Sequence, residues 1–577
     1  MSDFLFSAKP GSSAGLSRIL TRYLGHVAPI AEEKHGPWGS LAVVRAAHDG
    51  PHVVVEDNDR ISVLIGNPLV RSNGTVESTA RNSARRLLLH ALLATPVEAW
   101  DDHLDGQYAV LHIEKESGKV LMITDRFAFI PIFSSVDSLS SHAILGTHVD
   151  VVASAAGRHH DIDLVSVVDM LVTLTCTVPF SMYVGVSQQT PATAVRIDNA
   201  GRSVATQFWQ PVEHNQFRSL AMAADTLRES MVADIAKATS GADTVGLLLS
   251  GGEDSRAVLG AIPESKSIIA WTFADWTSRE VRIASRVAQR HGVKHVVGQR
   301  EPSHYMVGMG PVASMIGCHH MFTDVHGYGF HQTLEIEKAP IVLGGLSADS
   351  LLKGVYSSKG AIPKNAPPVD GSIRPELLME AKERRSKFLR EVREIRPSTA
   401  DEWAQLWPFA MRKHGANVDG NRRLFVAHEV FHANGVLDVA AAAPLEWKKG
   451  RRLFRAATRP FLRRTMFVPH AHYYFPAFGG ALNLALLPAL SAARGLRAIA
   501  TGEIRTRQAP WPTSSSLVKS AAAAKQRKAH PIWDSPLRSI FLPATPTEID
   551  SAVSKWYSMR RLLLLQFTYL TSAFPDS

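Results

Sequence analysis

The sequence predicts an α/β protein in two parts: a β-rich N-terminal part, then a doubly wound parallel sheet with a helical C-terminal region. Three observations carry this. Short alternating runs recur across residues 1–210. The apolar run Val245–Leu249 turns through Gly251 and Gly252 into a helical pattern. A second buried strand ending in glycines, an acid and a helix lies at Ala339–Tyr356. At 577 residues the chain is too long for one ordinary core, and the division 1–210 and 215–577 follows the change of pattern.

Taken in order, Leu41–Arg45, His52–Glu56 and Ile61–Ile65 read as successive strands. Thr79–Leu93 reads as an amphipathic helix with Arg81, Arg85 and Arg86 on its polar side. Leu104–Leu111, a charged strand pair around Glu114–Lys119, Leu121–Arg126, Ile130–Phe133 and Gly146–His148 complete the β-rich part. Ala221–Ala238 is a helix, Ser267–Phe273 a strand, Arg279–His291 a helix closed by Gly292, and His295–Gln299 a third strand. That alternation argues for a parallel sheet with ligands at the carboxyl ends of its strands. Phe478–Ala493, interrupted by Asn483 and Pro488, reads as a buried helix pair and not a membrane span. Thr506–Ala529 reads as a loop or linker.

The chemistry concentrates at Thr244–Arg256, T-V-G-L-L-L-S-G-G-E-D-S-R. A strand that turns through two glycines into a helix N-terminus is an anion site, because the first-turn N–H groups lack intrahelical partners and the helix dipole favours negative charge. Ser250 and Ser255 add hydroxyl donors to a phosphate. Asp254 would repel a bare polyphosphate but can hold a Mg²⁺ that neutralises one. The glycine-lysine phosphate loop G-x-x-x-x-G-K-[ST] does not occur. Cys318, His319, His320, Asp324, His326 and His331 are irregularly spaced and read as helix and pocket-wall residues, not as a metal centre.

Composition narrows the class. With 45% hydrophobic and 20% charged residues the chain reads as a soluble globular protein. The net charge of +10 comes from scattered or mixed basic runs and by itself decides nothing; no nucleic-acid partner is expected. The two cysteines, Cys176 and Cys318, lie too far apart in sequence to form a disulfide framework or a cysteine metal site. With no secretory signal pattern at M-S-D-F-L-F-S-A-K-P, the expected location is cytoplasmic.

S-G-G-E-D-S resembles the S-G-G-x-D-S pyrophosphate loop of the asparagine synthetase family, which binds ATP and releases pyrophosphate. The resemblance implies a glutaminase-like (Ntn-type) β-rich sandwich for the first part and a synthetase domain for the second. D-G-Q-Y-A at 105–109 and D-R-F-A-F-I-P-I-F at 125–133 are similar to the glutaminase strands, with Ala128 where that family has glycine. Family glutaminases use an N-terminal Cys; Ser2 stands at position 2, so no glutamine hydrolysis is expected and the first part is read as a scaffold. Asp349, in L-S-A-D-S-L-L-K-G, is implied as partner to Asp254 in holding Mg²⁺, while Leu346 and Ser350 replace acidic residues of the acceptor loop. ATP contacts are implied for Leu249, Ser250, Gly251, Gly252, Asp254, Ser255, Thr272, Phe273 and Gly345; Phe273 also fits plain core packing. Phe425–Glu429 is weakly similar to a family helix that places Glu429 near the acceptor; pairing with Arg422 or Arg423 on a helix surface is the other reading. Lys449 is the catalytic candidate for steadying pyrophosphate, with Lys448, His470 and His472 as further candidates and a solvated basic face as the alternative for the lysines.

Without the glutaminase Cys and the acceptor Glu, the chain is most similar to the ring-closing branch, β-lactam synthetases and lasso-peptide macrolactam synthetases. That implies adenylation of an Asp or Glu side chain of a precursor peptide and attack by the peptide's own N-terminal amine. A leader peptidase and a leader-recognition protein are the implied partners. The alternatives are an ammonia-dependent ligase acting on a small-molecule or glycan carboxylate, and an inactive ATP-binding scaffold.

Overall fold

The computed structural model describes residues 2–11, 15–49, 53–72, 75–78, 99–139, 142–301, 303–355, 371–407, 413–486, 488, 492, 510–525 and 535–573. The helix expected at Thr79–Leu93 lies outside them.

Two six-stranded antiparallel sheets form the N-terminal part. One runs, in spatial order, Ser187–Gln188, Phe133–Val136, Ala143–Gly146, Asp3–Ser7, Gly39–Arg45, Ile30–Gly36. The other runs Ser203–Gln207, Thr193–Ile197, Val120–Thr124, Tyr108–Glu114, Arg60–Gly66, Val54–Glu56. Side-chain alternation explains their stacking. Phe4, Phe6, Leu41 and Val43 of the first sheet meet Ile61, Val63, Leu111 and Met122 of the second in one buried layer. The opposite face of the first sheet, with Leu5, Ala42 and Val44, packs under the helices Leu16–Leu24, Val149–Ala155 and Leu164–Thr173. Those three helices are not among the elements expected from sequence, and His148, placed in the β-rich part, caps the second of them.

The C-terminal part is built on a five-stranded parallel sheet ordered Lys294–Gln299, Ser267–Ala274, Thr244–Leu248, Val342–Gly344, Ala427–Glu429. Apolar side chains fill both faces. Val245, Leu247 and Leu343 pack with the helices Leu220–Ala238 and Asp254–Ala261, whereas Leu248, Trp271 and Val342 face the other way. Thr244–Leu248 is paired on either side, to a strand that follows it closely in sequence and to one a hundred residues later. The connections therefore reverse direction beside it, which opens a crevice at the carboxyl ends.

Three expectations need correcting. Glu429 closes a short edge strand, Ala427–Glu429, and is not on a helix. The described part of the 506–529 stretch contains a helix, Ser514–Lys525. Residues 480–486 are helical, but Leu482 and Leu484 are exposed, so this segment is not a buried pair. Among the described residues no helix is long and apolar enough to cross a membrane.

The two parts share a core. One apolar cluster joins Leu5, Leu20 and Val168 to Trp271, Val342, Leu424 and Phe567. Arg385, from the helix Pro375–Ile395, binds Asp169 Oδ1 at 2.6 Å and Thr173 Oγ1 at 2.6 Å. Arg126 bridges Asp101 and Asp438, each at 2.6 Å.

Candidate active site

The crevice is a pocket of about 310 Å³. Leu248–Ser250, Gly344–Ser347, Trp271–Phe273 and Glu429 come from the strand ends; Pro510 and Trp511 form a far wall.

The S-G-G-E-D-S run folds on itself. Ser250 N–H donates to Ser255 Oγ at 3.0 Å, Gly252 N–H donates to Ser250 Oγ at 3.1 Å, and the two hydroxyls meet at 3.1 Å. Gly251 permits a close approach, since a Cβ there would lie 2.9 Å from the Glu280 carbonyl. Gly345 passes the other side of the loop, where a Cβ would lie 3.0 Å from Ser255 N. Buried Arg256 ties the loop to a distant segment by donating to the Val468 and Pro469 carbonyls at 2.7 and 3.3 Å. Leu249, Ser250, Asp254, Ser255, Thr272, Phe273, Gly345, Asp349 and Glu429 all line the pocket, while Gly251 and Gly252 shape the turn behind it. Thr272 is also a staple, its hydroxyl donating to the Leu249 carbonyl at 2.6 Å. Phe273 stacks on Phe330 with centroids 4.9 Å apart.

The acids converge. One carboxylate oxygen each from Glu253, Asp254 and Asp349 lie within 4.8 Å of one another, a hard-oxygen set that fits a divalent cation. A cation of the chain already stands among them. The Lys353 ammonium, almost fully buried, is 2.8 Å from Glu253 and 2.7 Å from Asp349, and it also contacts Asp254. Burial would lower its pKa, but Asp254, Glu253 and Asp349 outweigh that and hold it well above the usual range. Arg451 pairs with Glu253 from another loop.

Lys353 and Arg451 are the basic groups at this cluster, in place of the candidates named from sequence. Lys449 is exposed on a turn outside the pocket. Lys448 is buried 3.7 Å from Glu402 and over the Trp403 ring. His470 is stacked on Tyr474 beside Gly252, and burial pushes its pKa down to about 3. His472 stacks on His470. Lys353 had a readable signal, the i,i+4 spacing from Asp349 that puts both on one helix face. Trp511 had none.

Glu429 is the register partner of Gly344 in the sheet. Its carboxylate occupies the room a side chain at Gly344 would need; a Cβ there would come within 2.1 Å of Oε2. Oε2 accepts the Leu346 N–H at 3.0 Å. Burial raises the Glu429 pKa to about 7 against the lowering effects of that N–H and of His428. The surface pairing with Arg422 or Arg423 does not occur: both guanidiniums bind Asp3 and Asp419. Next to Leu346, Ser347 takes φ 75°, ψ −8°, a left-handed conformation that costs a non-glycine residue about 1–3 kcal/mol.

A tight glycine turn at a switch point, paired strand-end acids and a buried carboxyl near neutrality make this crevice the candidate active site. Residues 226–467, which include the turn, the acids and Glu429, match the asparagine synthase family. The chain is an ATP-dependent ligase, of the amide-forming kind. No curated protein matches it. Among solved structures, the allosteric regulatory enzyme of purine biosynthesis is similar at 11% identity, over 52% of this chain and 80% of that one, with a TM-score of 0.27. Glutamine phosphoribosylpyrophosphate amidotransferase from B. subtilis, complexed with ADP and GMP, is similar at 10% identity over 54% and 70%, with a TM-score of 0.25. Scores so low carry no functional weight.

Proposed function

We propose that this ligase adenylates an Asp or Glu side chain of a precursor peptide and closes an isopeptide ring onto the peptide's N-terminal amine. One observation carries the choice of a peptide over a free amino acid. Among the described residues lining the pocket, none is Lys or Arg, and Leu248, Leu249, Trp271, Phe273, Leu346 and Trp511 make much of its wall. A free amino acid brings an α-carboxylate that needs a cation when desolvated. A residue within a peptide brings an amide there instead.

The reading divides the chain at 1–210, an Ntn-type sandwich, and 215–577, the synthetase domain. ATP's phosphates lie on the Ser250–Ser255 turn and its adenine against Thr272 and Phe273. Mg²⁺, held by Asp254 and Asp349, supplies neutralisation of phosphate charge. The peptide carboxylate attacks the α-phosphorus and pyrophosphate leaves with the broken P–O bond pair. The amine nitrogen then attacks the acyl carbon, AMP leaves, and the ammonium proton passes to Glu429. Leu346 N–H keeps one Glu429 oxygen fixed, so the other is the acceptor. Enclosure of both reacting ends makes ring closure effectively unimolecular. A leader peptidase, and a protein that recognises the leader, act before this step.

Mass spectrometry of a precursor peptide treated with enzyme, ATP, Mg²⁺ and a leader peptidase tests the reading. Loss of one water with a blocked N-terminus, alongside AMP and pyrophosphate, is the expected result. Gain of an ammonia-derived amide, or transfer to a separate amine, sinks ring closure and favours the ammonia-dependent ligase.

A further inference from the structure

Glu429 stands on a slender support. Its strand, Ala427–Glu429, is the outermost of the parallel sheet and, among the described residues, pairs on one side only, with Val342–Gly344. Successive side chains of a strand point to opposite faces, so Glu429 enters the pocket while His428 turns back towards the helix Leu220–Ala238. Asp234 of that helix receives it, with the imidazole Nε2 2.8 Å from Asp234 Oδ2. The two side chains are 8% and 3% exposed, and neither lines the pocket.

The Asp234 carboxylate is aimed wholly at the imidazole. Its second oxygen, Oδ1, is buried and has no hydrogen-bond partner among the described residues. A pair built to secure the fold alone would satisfy both oxygens, because a buried acceptor left unpaired costs stability. Burial by itself would strip the His428 proton. Asp234 outweighs it, with smaller pulls from Asp105 and Glu429, and holds the imidazole above the ordinary histidine range. Burial raises Asp234 in turn, assisted by Asp105 and opposed by His428 and Lys237. The pair is neutral as a whole, yet its positive end lies in the strand beside Glu429 and its negative end across on the helix.

That orientation matters to a base. Burial drives Glu429 towards its protonated form, and a protonated carboxyl accepts nothing from an ammonium. Two influences favour its ionised form, the Leu346 N–H and His428. We propose that Asp234 and His428 are positioning residues for Glu429: their ion pair moors the edge strand to the helix Leu220–Ala238 and sets a positive charge behind the carboxylate, so that Glu429 is ionised when the amine attacks. A helix outside the pocket thereby takes part in amide formation. The inference rests on the base role given to Glu429 in the proposed function.

The probe is the infrared band of a protonated carboxyl, followed against pH in the full chain and assigned by its loss in Glu429→Gln. Asp234→Asn is the main variant, because asparagine keeps an oxygen for the Nε2–H, and so the mooring, while removing the charge that holds the second imidazole proton. The midpoint of the band should move up by about one pH unit. The double variant Asp234→Asn/His428→Gln, a neutral pair that can still hydrogen-bond, should move it to the same point, since both changes remove one charge. Ring closure of the precursor peptide should fall about fivefold at pH 7 and recover by about pH 9, whereas a merely structural defect would lower it at every pH. An unmoved midpoint, or a loss of closure equal at all pH values, overturns the inference and leaves Glu429 as the base. A wild-type closure rate with no limb near pH 7 overturns the base role of Glu429, and this inference with it.

Discussion

Glu429 acquires its chemistry from position. Desolvation drives its carboxyl up to about 7, and the neighbouring N–H and imidazole only temper the rise. A general base must be ionised, so amide formation should rise with pH through about 7 and level off above it. Glu429→Gln should remove that limb and slow ring closure roughly 100-fold, a usual size for a general base, while pyrophosphate exchange persists. A variant that loses exchange and closure equally would show Glu429 acting in binding instead. Lys353 makes a second prediction at the same scale. Its ammonium balances three clustered carboxylates, so Lys353→Met should lower Tm in metal-free buffer and bind Mn²⁺ at least tenfold more tightly by paramagnetic resonance. Unaltered Mn²⁺ affinity would place the ion elsewhere. These two residues also differ in how they could be read. The acids and hydroxyls of the 250–255 turn are legible because chemistry and local chain geometry coincide within six residues. Glu429 was legible only through a weak similarity, on the wrong kind of element, since edge strands of three residues leave no periodic trace.

Among elements, the strand Asp3–Ser7 and the helix Lys413–Leu424 are welded by charge. Asp3 accepts from Arg422 and Arg423 at 2.8 and 2.7 Å, and Asp419 binds the same two guanidiniums. Burial would raise the Asp3 pKa, but the two arginines overcome it and hold the carboxyl far below its usual range; Asp419 falls to about 2 in the same way. A depressed carboxylate contributes stability that is complete above its unfolded pKa, near 4, and is lost as pH falls towards the folded value. Asp3→Asn should therefore cost about 3–5 kcal/mol at neutral pH, the usual penalty for stranding a buried charge, and should flatten the decline of Tm below pH 4. Guanidinium unfolding at pH 7 and pH 3 measures both, and equal losses at the two pH values would contradict the linkage. Nothing in D-F-L-F-S or N-R-R-L-F announces this pairing, because its members are more than four hundred residues apart in sequence. The parallel sheet was more legible. Its strands and helices alternate locally, and Arg279–His291 ends at Gly292 with φ 67° as its composition requires. The expected glycine of the D-R turn is Ala128, which nevertheless takes φ 49°; the surrounding sheet imposes the conformation on a residue that disfavours it.

At the scale of the whole molecule, the shared core leads us to expect that the two parts unfold together. The cluster running from Leu5 to Phe567, the Arg126 bridges and the Arg385 bonds would all be severed together. Thermal unfolding of the full chain should show a single cooperative transition, and residues 215–577 expressed alone should aggregate or bind a dye specific for exposed apolar surface. Two well-separated calorimetric transitions would show the parts to be autonomous. Pattern reading assigned fold class to each part correctly in kind, yet it could not see their union, because packing between distant segments has no local period.

The wall formed by Pro510 and Trp511 has a further consequence. Trp511 stacks on His326 at 4.1 Å, and the Pro510 carbonyl accepts the Asp275 N–H at 2.9 Å, so this side of the pocket is contributed by chain that the ribosome makes long after the phosphate turn. The core beneath it waits longer still, for Leu562–Phe567. A chain cut before Pro510 would keep the strands Thr244–Leu248 and Val342–Gly344 and the turn through its glycines, yet would lack one wall of its pocket.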